Sequence, residues 1–267
     1  MTIKNKVSFS GPDAMTGRIV NVELLPSERL EIEYNGEIID VTPQSGVTIE
    51  GFHTSAVTNG KVSVYAVEHL FSTFAGLGID TCRIVTDFST IPILDVCAKK
   101  FCELLKDNLD ETIKPEVFKP TEKIWWNYQE SAALFEPDDH FSIGAFLQFP
   151  EPIGESFYRF DPTKENYVND IAPARTFIRS SCTDEVWKRV RGKYPILPEN
   201  RKDSPMLIFE GNDWIIAPKE HEPVKHKILD AMGDLMFLGK RIEAKVNLFR
   251  PGHEFTRELV KYLANEK

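Results

Sequence analysis

The sequence contains no CxxC pair. Its four cysteines, Cys82, Cys97, Cys102 and Cys182, have no zinc-finger spacing, and so few thiols in 267 residues are the usage of a reduced, cytoplasmic protein rather than a disulfide-stapled secreted one. No run approaches the ~20 apolar residues of a membrane span. The start, MTIKNKVSFSG, lacks the apolar segment of a signal peptide, so neither an integral membrane segment nor export is expected. Positive charge is also short: 32 Lys and Arg stand against 41 Asp and Glu, a formal net charge of −9. Nucleic-acid binding depends on neutralising phosphates with a basic face, and this balance argues against it. The cluster Lys188, Arg189, Arg191 and Lys193 reads as a solvated charged face. There is no GxSxG elbow, P-loop or GxGxxG, so serine-based acyl transfer and P-loop nucleotide hydrolysis lack support.

What is present is the material of two soluble domains. The length suits two units of ordinary size, and 42% apolar with 27% charged residues is a globular composition. Residues 1–63 alternate β-rich runs (VNVELL, RLEIEYNGEIIDV, GVTIEGF) with turn residues, which predicts a meander of antiparallel strands. The pattern then changes to a helix over 64–76, a strand (TCRIVTDF), a turn (STIPILD) and a second helix through Phe101, Leu104 and Leu105. A polar stretch from Lys106 to Pro120 reads as a linker, strands follow (ALFEPD, FSIGAFLQF), and then an irregular middle. The last stretch, VKHKILDAMGDLMFLGKRIEAKVNLFRPGHEFTRELVKYL, repeats the order helix, glycine, strand, proline, helix. Gly78 to Pro92 is 14 positions and Gly239 to Pro251 is 12, so the repeated unit has nearly one length. The expectation is an α+β protein of two related domains, 1–110 and 111–267, each a β-sheet layer covered by two helices.

The segment AVEHLFSTFAGLGID places Glu68 and His69 inside a helix whose apolar face is Val67, Leu70, Phe71 and Phe74, with Gly76 and Gly78 as the stop. Burying such a pair costs several kcal/mol unless each group finds a partner, so a salt bridge or a metal is expected nearby. His226 and Asp230 in HKILD lie four apart on one helical face, and Asp234 extends the stripe. A nitrogen and a carboxylate at this spacing make either a solvent-facing ion pair or part of a zinc site that lacks a third ligand. His69, on the corresponding helix of the first half, is the candidate for that ligand. Three protein ligands with a water in the fourth position is the arrangement of a catalytic zinc, and Glu68 then faces the water. His253 follows Pro251-Gly252 and on its own reads as a helix-start residue. His53, His140 and His221 read as surface residues.

Taken together, AVEHLFSTFAGLGID, IPILD, ARTF, HKILDAMGDL and PGHEFTREL resemble the zinc-dependent UDP-3-O-acyl-N-acetylglucosamine deacetylases of lipid A biosynthesis, in order and spacing across most of the chain. The resemblance implies two α+β domains with the active site between them and zinc on His69, His226 and Asp230. It implies Glu68 as general base on a zinc-bound water, His253 as a charged histidine and Asp234 as the carboxylate that orients it. Thr176 matches a hydroxyl near the reacting carbonyl, and Lys227 and Phe177 match substrate contacts. The implied partner is an acylated nucleotide sugar, acted on in the cytoplasm by a monomer. Three departures bear on the substrate. SGPDAMTG, with Met15, stands where a glycine-rich stretch with a histidine is usual, and Asp95-Val96-Cys97-Ala98 replaces DGSA. YPILPENRKDSP replaces a glycine-rich segment after ARTF, and the chain ends without a further tail. The alternatives are a paralogue that deacetylates another N-acetylated substrate and a catalytically silent zinc-binding module.

Overall fold

In the run IVNVELL, Val20, Val22 and Leu24 are buried while Ile19 and Asn21 face solvent, the period-2 signature of a strand with one face on a core. The computed structural model describes residues 1–14, 16–48, 54–112, 114–180 and 200–266. This strand, Ile19–Leu25, belongs to a five-stranded sheet in the order Val7–Pro12, Ile19–Leu25, Cys82–Thr86, Leu30–Tyr34, Glu37–Asp40. The expected antiparallel hairpins are present, but they do not form a simple meander. Cys82–Thr86, which arrives after a helix, inserts between them, antiparallel to Ile19–Leu25 and parallel to Leu30–Tyr34, with Val22 opposite Thr86 and Ile32 opposite Ile84.

The second half repeats this arrangement strand for strand. Ile124–Tyr128, Ser131–Pro137, Ala244–Phe249, Ser142–Gln148 and Glu155–Phe160 form a sheet whose central member, Ala244–Phe249, is again the late arrival, antiparallel to Ser131–Pro137 and parallel to Ser142–Gln148. The described helices are α1 (Glu68–Leu77), α2 (Lys99–Leu105), α3 (Tyr167–Asp170), α4 (Glu222–Leu235) and α5 (His253–Leu263). Phe101 of α2 meets Phe9 of the first sheet edge-on at 5.5 Å, and Phe255 and Tyr262 of α5 pack on Trp126 of the second. The protein is therefore α+β, with sheet and helix layers in each half. No helix among the described residues is long and apolar enough to cross a membrane.

Local differences from the expected elements have local causes. α1 begins at Glu68 rather than 64, because Ser63–Tyr65 pairs with Ser55–Thr58 and Ala66, at φ 59°, turns the chain into the helix. Gly78, at φ 74°, ends it as expected, and the N–H groups of Gly78 and Ile79 take the carbonyls of Ala75 and Phe74. The stretch expected to be a linker is partly paired: Leu109–Asp110 joins Thr2–Ile3, and Val117–Phe118 joins Arg241–Ile242. The middle, without a readable period, holds α3 and a small sheet of Phe177–Arg179, Leu207–Glu210 and Asp213–Trp214. Cys82, Cys97 and Cys102 are free and buried, and burial pushes each thiol up to about 12. Met15, His53, Cys182 and the basic cluster at 188–193 lie outside the described residues.

α1 packs directly on α4, and the closest approach is at Gly233. A Cβ there would lie 2.1 Å from the Glu68 carbonyl oxygen, a backbone atom that cannot swing aside. In an isolated helix, replacing Gly by Ala gains about 1 kcal/mol from propensity. Here the clash outweighs that gain, so Gly233→Ala is expected to destabilise by about 3 kcal/mol, the scale of core overpacking. A drop in the denaturant midpoint checks this, and an unchanged or raised midpoint would show that the helices have slack.

Candidate active site

The contact between α1 and α4 brings together groups from both halves. Glu68 and His69 open α1, His226, Asp230 and Asp234 line one face of α4, and His253 opens α5. All six are buried, at 3–9% exposure, so the reading of His226 and Asp230 as a solvent-facing pair is excluded. His69 Nε2 stands 3.7 Å and His226 Nε2 3.5 Å from Asp230 Oδ1, and one ligating atom from each of the three lies within 4.8 Å of the others. The two imidazoles meet edge to face at 5.2 Å.

Two of these three side chains, His226 and Asp230, are held from behind. His226 Nδ1 donates to the Ala174 carbonyl at 3.0 Å, which leaves the Nε2 lone pair facing His69 and Asp230. The Ala174 carbonyl is itself held in place, because Arg175 grips Glu222, the first residue of α4, with a two-pronged guanidinium contact at 2.7 and 3.0 Å. His69 Nδ1 is buried without a partner. Lys227 Nζ donates to Asp230 Oδ2 at 2.9 Å and stands 5.5 Å from the Phe177 ring, which in turn lies edge-on to His226 at 6.0 Å.

Beside these three residues sits a second set of buried, hydrogen-bonded titratable groups. Glu68 accepts from Thr54 Oγ1 at 2.7 Å and from the Ser55 N–H at 3.2 Å. His253 Nδ1 donates to Asp234 Oδ2 at 2.9 Å, and Ser55 Oγ donates to Asp234 Oδ1 at 2.5 Å. His253 Nε2 is left 3.9 Å from Asp230 Oδ2. Thr176 spends its hydroxyl proton on the Val96 carbonyl at 3.0 Å, and its N–H goes to the same oxygen at 2.9 Å. Val96, in the Asp95–Ala98 stretch, stands at φ 61° with its side chain fully buried, a conformation that is strained for a β-branched residue. His140 and His221 lie on the surface, as expected. Of YPILPENRKDSP, residues 194–199 lie outside the described residues, while Arg201–Asp203 form a single 3-10 turn. A cavity of about 210 Å³ lined by Phe74, Met232 and Leu235 opens at the other end of the α1–α4 pair and shares no residue with the cluster.

Burial and neighbouring charge sort the protonation states. Desolvation, reinforced by His226, drives His69 down to about 3, and desolvation also lowers His226, so both are neutral with free lone pairs. Burial opposes ionisation of Asp230, but the positive charges of Lys227 and His253 beside it hold its carboxyl well below the usual range. Burial raises Glu68 despite the pull of His253. For His253, burial and the α5 N-terminus both oppose a positive charge, yet Asp234, with Asp230 and Glu68 behind it, raises it to about 9. Thr54, Ser55 and Glu222 carry no motif of their own, and sequence reasoning did not single them out; Ala174 and Arg175 belong to ARTF, but nothing in its spacing announces the Ala174 carbonyl behind His226 or the pairing of Arg175 with Glu222.

Residues 1–265 match the UDP-3-O-acyl N-acetylglycosamine deacetylase (LpxC) family. The UDP-3-O-acyl-N-acetylglucosamine deacetylase of Thioalkalivibrio sulfidiphilus is 30% identical over 280 residues, spanning 98% of this chain and 88% of its own. The enzyme of the same name from Geobacter sp. strain M21 is 29% identical over 279 residues (98% and 88%), and that from Xylella fastidiosa strain Temecula1 is 25% identical over 284 residues (99% and 90%). The chain belongs to this family.

The raised His253 makes a pH-dependent contribution to stability with a definite sign. A base that binds its proton more tightly when folded stabilises fully below its unfolded value of 6.5, and the contribution is lost as pH rises through about 9. In chelator-treated protein, the stability gap between the parent and His253→Gln is therefore expected to be larger at pH 6 than at pH 9.5 by about 3 kcal/mol. Denaturant unfolding at the two pH values measures it, and a pH-independent gap would contradict a cationic His253.

Proposed function

We propose, from this membership and the site's geometry, that the chain is a zinc-dependent amide hydrolase. It removes the N-acetyl group from UDP-3-O-acyl-N-acetylglucosamine or a closely related acylated amino sugar of lipid A biosynthesis. The observation that carries the reading is the convergence of two neutral imidazole nitrogens and one carboxylate oxygen on a single point, contributed by helices from both halves. Ligand atoms about 2.1 Å from a common tetrahedral centre lie about 3.4 Å apart, close to the 3.5 and 3.7 Å found here. Two nitrogens and one carboxylate suit zinc, which would polarise the amide carbonyl and lower the pKa of a bound water to around 7.

The chain's own groups take the remaining roles. Glu68, steadied by Thr54 and the Ser55 N–H, accepts a proton from the attacking water. Burial raises its pKa, which favours its holding that proton and returning it to the leaving amine. His253, cationic and aimed into the site through Nε2, stabilises the negative charge that develops on the amide oxygen. Thr176 joins it by turning its hydroxyl from Val96 to the substrate. Lys227 and Phe177, at the edge of the cluster, contact the sugar and its acyl substituent. Supported in this way, Glu68 and the Asp234–His253 pair argue against a silent zinc module, since metal binding alone needs neither. We read the halves as domains 1–110 and 111–267 with the site between them, supported by Leu109–Asp110 pairing within the first half and Val117–Phe118 within the second. The protein acts as a cytoplasmic monomer. The prolines and charges of YPILPENRKDSP, in place of a glycine-rich segment, shift its acyl-chain preference away from long chains.

Metal analysis of the purified protein is expected to find one zinc per chain, lost from His226→Ala. Glu68→Gln keeps the shape of the side chain and removes the base, so turnover of the N-acetyl substrate should fall by roughly 10²–10⁴ with zinc retained. A Glu68→Gln protein that cleaves at the parent rate would overturn the mechanism, and a parent inert toward every acylated N-acetyl sugar would overturn the function.

A further inference from the structure

We propose that Ser55 is a positioning residue that holds the two proton-handling groups of this site, Glu68 and His253, at a fixed separation and orientation. The proposal rests on the reading of those two residues given above. Ser55 opens the strand Ser55–Thr58 and is only 4% exposed. All three of its polar groups are engaged at the site. The N–H donates to Glu68 Oε2 at 3.2 Å, and the carbonyl accepts from the N–H of Val67, the residue before Glu68, at 3.5 Å. The hydroxyl reaches the other group, 2.5 Å from Asp234 Oδ1 and 3.2 Å from His253 Nδ1.

The donor arithmetic assigns the protons. A hydroxyl carries one hydrogen and a carboxylate can only accept, so the Ser55 hydrogen goes to Asp234 Oδ1. The Ser55 lone pairs then face the His253 Nδ1–H, which is shared between Ser55 Oγ at 3.2 Å and Asp234 Oδ2 at 2.9 Å. Serine, aspartate and histidine thus close a ring. The ring ties down both carboxylate oxygens of Asp234, keeps the hydrogen on Nδ1 and sets the plane of the imidazole, so that Nε2 points into the site. Without the hydroxyl, Asp234 would hold the imidazole through one oxygen alone and could rotate. Because the same residue carries the backbone contacts to Glu68 and Val67, the first turn of α1 and the start of α5 are referenced to one point on one strand.

Ser55→Ala removes the hydroxyl and leaves both backbone contacts. Zinc-loaded Ser55→Ala is expected to lose about 10- to 100-fold in kcat, the usual cost of removing a group that orients a reacting one. KM, zinc content and Tm should stay close to those of the parent, and Ser55→Thr, which keeps a hydroxyl, should recover most of the rate. A second readout needs no substrate. The imidazole N–H proton resonance of His253, identified by its disappearance in His253→Gln, should move or broaden in Ser55→Ala and persist in Ser55→Thr. An unaltered resonance in Ser55→Ala, or a rate loss explained entirely by lost zinc or lost fold, would overturn the proposal. If the parent proves inert toward N-acetyl sugars, the functional reading fails, while the resonance still decides the role of Ser55.

Discussion

The α1–α4 contact sets the geometry of everything else in this protein. Two helices can bring side chains from separate halves to one point only if their backbones come close, and here they touch where Gly233 faces the Glu68 carbonyl. The candidate metal-binding residues stand on either side of that contact, His69 one residue after Glu68, and Asp230 three residues before Gly233. A site of this kind is a property of the packing. Its precision derives from the absence of a methyl group, and the glycine costs helix propensity that the docked core more than offsets.

Close packing also creates the electrostatic problem that the neighbouring residues solve. Six ionisable groups are buried together, and each would be costly alone. The arrangement sorts them: two imidazoles lose their protons to desolvation, one carboxylate stays anionic among cations, and one imidazole is held positive by a carboxylate behind it. Glu68 is drawn both ways, raised by burial and pulled down by His253. Val96 adds strain at the border, where its left-handed backbone presents the carbonyl that holds Thr176.

Features governed by local spacing were legible in the sequence. The helix–glycine–strand–proline–helix repeat was visible because Gly78 and Gly239 end helical segments in the left-handed region, at φ 74° and 70°. His226 and Asp230 were visible as a pair because four residues make about one helical turn. Features governed by long-range pairing were not. Val64 continues the apolar spacing of α1, so spacing alone extends the helix back to residue 64; the pairing of Ser63–Tyr65 with Ser55–Thr58 decides otherwise. His69 could be joined to His226 only by supposing that the two halves meet. Ser55 was invisible for a simpler reason: a serine in a β-rich run has no periodic signature, and its partners lie 13, 179 and 198 residues away in sequence.

The late central strand of each sheet has a consequence for how the chain folds. Leu30–Tyr34 and Ile19–Leu25 are near neighbours in sequence, yet they do not pair with each other; each pairs with Cys82–Thr86, made some fifty residues later. Until that strand arrives, the first sheet exists only as two separate hairpins with unpaired inner edges, and neither is stable on its own in water. The second sheet waits longer still, since Ala244–Phe249 must join strands formed from residues 131–148. Loop closure over such distances comes before any pairing can compensate it, so this architecture belongs with the slow-folding topologies. During the wait its open strand edges are the places where a nascent chain is most exposed to pairing with the wrong partner.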